Sequence, residues 1–177
     1  MRIHCVLRLA CAIVVMAAVA PAVAQDLPKR KSGLWEIRTS SLGATKGPAG
    51  AEGASVQLCI DEKTDDAVTQ QALGMAKQSC TKRDIRKTGT QIVVDSVCKF
   101  GDTTATTHSV FTGAFDSAYK VETRSTYDPP LMGMREGNAL IEARWLGACK
   151  ADQRPGDVIL GNGMKINMND QKGPVRK

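Results

Sequence analysis

Aromatic residues are scarce: three Phe, two Trp and two Tyr among 177 residues, or 4%. Recognition of nucleic acid by stacking needs more rings than this and a dense basic face, so nucleic acid is not the expected ligand. The chain has no C-x-x-C pair, which argues against thioredoxin-type exchange. It has no C-x-x-C-H motif for covalent haem and no G-x-S-x-G elbow to supply a serine nucleophile. Histidine is limited to His4 and His108. After the first 24 residues no stretch approaches the roughly 20 apolar residues of a membrane span.

What is present begins with a three-part N-terminus. "MRIHCVLR" carries two arginines and no acid, "LACAIVVMAAVA" is an unbroken apolar run, and Ala22-Val23-Ala24 is a small-x-small site. That is the layout of a secretory signal peptide over residues 1–24, cleaved near Ala24. Arg8 sits where a lipobox before Cys11 needs an apolar residue, so lipidation is not expected. The destination is periplasmic or secreted.

Export changes the meaning of the cysteines. Cys5 and Cys11 fall in the signal, leaving Cys59, Cys80, Cys98 and Cys149. An even number in an oxidising compartment reads as two disulfides, and four cysteines allow three pairings that sequence cannot separate. Cys59–Cys80 with Cys98–Cys149 is the expected pairing, closing one helix and tying a central strand to the last. Two of the 24 basic residues and none of the 18 acids precede residue 25, leaving a mature charge of +4. Ordinary surface charge accounts for so mild a balance; any attraction to an anionic membrane surface would be weak.

Residues 25–32 are polar and basic and read as a disordered leader, followed by a domain over 33–150 and a tail over 151–177. "GLWEIRTSS" alternates as a first strand, "LGATKGPAGAEGA" reads as a flexible loop, and "SVQLCI" as a short strand. A helix over about 62–77 follows, capped by Asp61 or Thr64 and bearing Val68, Ala72, Met75 and Ala76 at helical spacing. Past Cys80 the pattern is β. "TKRDIRK" suits a charge-protected edge strand, and three alternating stretches precede "DPPLMGMREGN", a long Pro/Gly loop. "ALIEARWLGAC" is the closing strand, and Asn162-Gly163 signals a last hairpin. The fold class is mainly β: a curved antiparallel meander, one helix between the first two cysteines, and two disulfides.

His108 is expected to be a strand histidine, exposed or hydrogen-bonded, rather than a catalytic base. "DEKTDD" lacks the glycine and spaced oxygens of a calcium loop and reads as helix-start acids. The cysteines lie 21, 18 and 51 positions apart, unlike a zinc site. Met132, Met134, Met164 and Met168 are soft copper ligands in principle, but paired methionines more often cover a core or contact a partner. No metal, cofactor or enzymatic activity is expected. In "ARWLGACK", Trp145 reads as a core residue partnered by Trp35, with Gly147 letting the chain turn into Cys149.

"GLWEI" near the mature start, four spaced cysteines, a β-rich middle and the ending "RWLGAC" resemble a family of small exported bacterial proteins known only as domain of unknown function 3617. The similarity spans about residues 33–150. It implies export and a compact disulfide-bonded β domain, and implies no activity. The expected function is a non-enzymatic envelope binding or structural module with an unidentified partner. The alternative is a carrier of an apolar small molecule or lipid in a cavity of the sheet.

Overall fold

The computed structural model describes residues 27–41 and 54–170. Residues 1–26, with the expected signal peptide, the Gly/Ala-rich stretch 42–53 and the last seven residues lie outside them. Nine strands form one antiparallel sheet. They are β1 (Gly33–Ser41), β2 (Ala54–Ile60), β3 (Cys80–Thr88), β4 (Gln91–Phe100), β5 (Thr103–Ala114), β6 (Ala118–Leu131), β7 (Met134–Gly147), β8 (Asp157–Ile159) and β9 (Lys165–Asn167). Their order across the sheet is β3-β4-β5-β6-β7-β1-β2-β8-β9. The stretch from β3 to β7 is a meander, as the evenly spaced turns predict. The charged strand β3 is an edge.

One helix, α1 (Glu62–Ser79), connects β2 to β3. Those strands stand six positions apart in the sheet, an arc of about 29 Å at 4.8 Å per strand. Eighteen residues of helix span about 27 Å, so α1 has the length to carry the chain back across the sheet. Asp61 is its N-cap, accepting from the Thr64 amide at 2.7 Å. Thr64 and Asp65 are its buried residues, whereas Met75 is 64% exposed. Thr64 and Met75 lie on the same side of the helix, three turns apart, so that side is buried where α1 starts and exposed near its end; the helix runs two residues further than its periodicity suggests.

The core lies on one face. Trp35, Leu58, Ile60 and Ala143 form its buried centre, flanked by Ile37, Tyr119, Trp145, Val158 and Met168. An aromatic ladder extends it: Trp35 packs on Tyr119 at 5.7 Å, Tyr119 on Phe115 at 4.6 Å, and Phe115 on Phe111 at 6.5 Å. Burial pushes the Tyr119 hydroxyl above its ordinary pKa.

Both disulfides form, but with the pairing Cys59–Cys149 and Cys80–Cys98. The expected Cys59–Cys80 and Cys98–Cys149 pairs do not. Strand register is the reason. Cys80 faces Cys98 across the β3–β4 ladder. Cys59 pairs with Leu34, and Leu34 with Gly147, bringing Cys149 beside it. The helix separates Cys59 from Cys80 by its full length.

Three further expectations change. Residues 27–32, read as disordered, are tied down: Arg30 gives its amide and Nε to Asp65 at 2.8 and 2.7 Å, and the Lys31 amide bonds Phe115 O at 3.0 Å. The Pro/Gly segment 128–138 is no loop but the end of a hairpin, turning at Met132-Gly133 with Leu131 opposite Met134. Residues 151–170 are not a detached tail. Their predicted hairpin, β8–β9, extends the main sheet through β2, and Val158 and Met168 pack on the core. Asp157 organises it, accepting from the Arg154 amide and the Asn167 amide group.

Candidate ligand groove

In a β-sheet directly opposed residues share a face, and the register sorts every side chain from β3 to β7. Ile92, Phe111, Val121 and Ile141 share the core face. The other face is polar and carries a groove of about 820 Å³. One row across it reads Asp84, Asp95, His108, Arg124, Asn138, one residue from each of five successive strands. The next row reads Lys82, Val97, Thr106, Thr126, Glu136.

At its centre His108 Nδ1 contacts Asp95 Oδ1 at 2.6 Å. The carboxylate can only accept, so Nδ1 carries the proton and Nε2 is the free nitrogen. The other Asp95 oxygen accepts from Arg86, which also bonds Asp84 at 2.9 Å. The His108 hydrogen bond is the main reason the Asp95 carboxyl lies below its ordinary pKa. Asp84, Arg86, Asp95 and His108 thus form one chain of hydrogen bonds. Arg124, beside His108 on the next strand, makes no ion pair among the described residues, nor does Lys82. Thr106, Thr126, His108 and Arg124 are all exposed. A second groove, of about 440 Å³, lies further along the same face. Its charges are paired: Glu36 with Arg38 and Arg144, and Lys120 with Glu142.

The residues singled out in the sequence lie elsewhere. Trp35 and Trp145 are cross-strand partners. Trp35 is fully buried and gives its indole N–H to Lys31 O at 2.8 Å. Trp145 gives its own to Ser32 O, with Lys31 Nζ 3.8 Å above its ring. Gly147 has φ +126°, a conformation that favours glycine, as the chain leaves the sheet toward Cys149. Together with Gly33, Arg30 and Asp65, these residues build a clasp at the domain's closing end, some way from the groove. The exposed methionines Met132, Met134 and Met164 are spread over two hairpins, and Met168 lies against the core. Asp95 and Arg124 were not legible as site residues from local sequence. Their signal lies in the turns: pairing outward from Gly101-Asp102 puts Asp95 opposite His108, and pairing outward from the β5–β6 turn puts Arg124 opposite it.

These features define an antiparallel β domain with a helical crossover, closed by two disulfides and an N-terminal clasp. The chain belongs to the family described as protein of unknown function (DUF3617), whose model matches residues 30–149. The matched span starts at the arginine that pairs with Asp65 and ends at the cysteine that bonds Cys59. The β8–β9 hairpin lies outside it. No curated protein and no solved structure matches the chain.

Proposed function

We propose that this protein is a non-enzymatic module of the cell envelope, exported by its N-terminal segment, that binds a ligand or partner in the groove across β3–β7. The observation that carries this reading is the convergence of polar groups from five strands on one concavity. Its size suits a small molecule or a projecting group of a larger one. Strands hold its side chains more rigidly than loops would. Two disulfides support an oxidising compartment outside the cytoplasm. No helix among the described residues is long and apolar enough to cross a membrane. The Asp95–His108 pair resembles the acid–base half of a hydrolytic triad, but Thr106 and Thr126 make no hydrogen bond to His108 among the described residues.

One observation favours a second reading, a carrier of an apolar molecule. On the core face, Ser96, Thr107, Ser109, Thr123, Ser125 and Gly137 make a half-buried band of small residues between the buried Ile92 and Ala105. Two hydroxyl pairs floor it, at 2.9 and 3.0 Å.

Cross-linking in native envelopes with a photoreactive residue at Thr106, alongside mass spectrometry of organic extracts of the purified protein, separates the two. A specific adduct at Thr106 with empty extracts supports the groove. A stoichiometric lipid with no adduct there refutes it in favour of the carrier.

A further inference from the structure

We infer that Arg124 and His108 form a subsite in this groove for a tetrahedral oxyanion, a phosphate- or sulfate-type group borne by the ligand. The inference rests on the groove being the binding site and adds the chemistry of what it takes. Arg124 and His108 are direct cross-strand partners, so their side chains leave the sheet about 5 Å apart. Thr106 and Thr126 are opposed in the neighbouring row, placing two hydroxyls beside them. A guanidinium fork, an imidazole nitrogen and hydroxyl donors are the donor set that an oxyanion requires.

The other charges facing His108 divide into committed and free. Asp84 and Asp95 share the single guanidinium of Arg86, which leaves one negative charge on the trio. Lys82 lies at the β3 side of the groove and makes no ion pair among the described residues. Glu136 and Glu122 flank Arg124 from β7 and from its own strand, but neither forms an ion pair with it among the described residues. They oppose an arriving anion, so binding there rests on the directed hydrogen bonds of Arg124 and the hydroxyls rather than on net charge.

With Nδ1–H held by Asp95, neutral His108 presents Nε2 as an acceptor, which repels an anion. Protonation turns Nε2 into a donor and adds a positive charge, while Asp95 keeps the imidazolium in place. An oxyanion therefore binds the imidazolium form in preference to the neutral ring.

The test is an NMR titration of the mature chain with inorganic sulfate, whose charge is constant over this range, repeated at pH 5.5 and pH 8. Saturable shifts are expected at His108, Arg124, Thr106 and Thr126. Affinity should fall about tenfold or more in Arg124→Gln, the scale of a lost charge-assisted hydrogen bond, and similarly in His108→Gln. Lys120→Gln, in the other groove, should bind as wild type. A parallel arm asks whether vesicles containing phosphatidylglycerol pellet the protein in an Arg124-dependent way. Pelleting assigns the group to a lipid headgroup, and sulfate binding without pelleting assigns it to a soluble ligand; both support the subsite. Linear shifts spread over all basic residues, or saturable binding untouched by Arg124→Gln, would overturn it. The binding reading would then survive only if Thr106 still captured a ligand.

Discussion

The disulfide pairing predicts an ordering of stabilities that the alternative pairing does not. Cys59 and Cys149 are 90 positions apart, Cys80 and Cys98 only 18. A cross-link acts largely by restricting the unfolded chain, and its effect grows with the logarithm of the loop it closes. That relation gives about 4.6 kcal/mol for the first bridge and about 3.2 kcal/mol for the second, a gap of about 1.4 kcal/mol. The gap has a structural counterpart. Cys80–Cys98 joins strands that a two-residue turn, Gly89-Thr90, already brings together. Cys59–Cys149 links β2 to the segment leaving β7 across β1. Against a total of about 5–15 kcal/mol, losing the longer bridge leaves a marginal domain. Urea unfolding of Cys59→Ala/Cys149→Ala and Cys80→Ala/Cys98→Ala, followed by the fluorescence of Trp35 and Trp145, measures both losses. The m-value should rise in each as the unfolded chain expands. If the short-loop variant proves at least as destabilised as the long-loop one, the reasoning fails.

Four other perturbations have definite outcomes. Asp65→Ala strips a buried carboxylate from Arg30, whose side chain is 13% exposed; a loss of about 3 kcal/mol is expected in thermal or urea unfolding, with faster amide exchange over residues 29–32. Gly33→Ala adds a Cβ against Gly147 O and the Trp145 indole at a φ of +135°, and should cost about 3 kcal/mol or more through strain and overpacking, read as a fall in Tm. Met132 has φ +50° at the hairpin tip and is 91% exposed, so Met132→Gly should stabilise the fold by about 1 kcal/mol. The Asp157 carboxyl lies below its ordinary value of 3.8 because the Arg154 amide and Asn167 donate to its charged form. A depressed folded pKa means that its stabilisation is complete above pH 3.8 and disappears as pH falls through the lower folded value. NMR amide signals of β8–β9 should therefore broaden on acidification before those of β4–β6, and Asp157→Asn should abolish that difference.

Alternation, turn dipeptides and a helical cap are local properties. The sequence by itself therefore determined the strands between Gly33 and Gly147 outside the Pro/Gly run 128–138, a helix starting near Asp61, the edge character of β3 and the Asn162-Gly163 hairpin. The even cysteine count determined that there would be two disulfides. Only the tertiary structure decided which cysteines meet. That depends on β1 inserting between β7 and β2 and on the helix holding Cys59 and Cys80 a full length apart, distances that no local pattern encodes. It also decided that the basic leader is a clasp, since Arg30 meets Asp65 at the start of α1 and Lys31 meets the β5–β6 turn and the indoles. The Pro/Gly run misled because its turn is made by Met132 at positive φ, where glycine or asparagine is the usual sign. The groove lies between these limits. Its members sit in unremarkable alternating positions on five strands, and stacking those strands in register is what converts a lone histidine into a neighbour of Asp95 and Arg124.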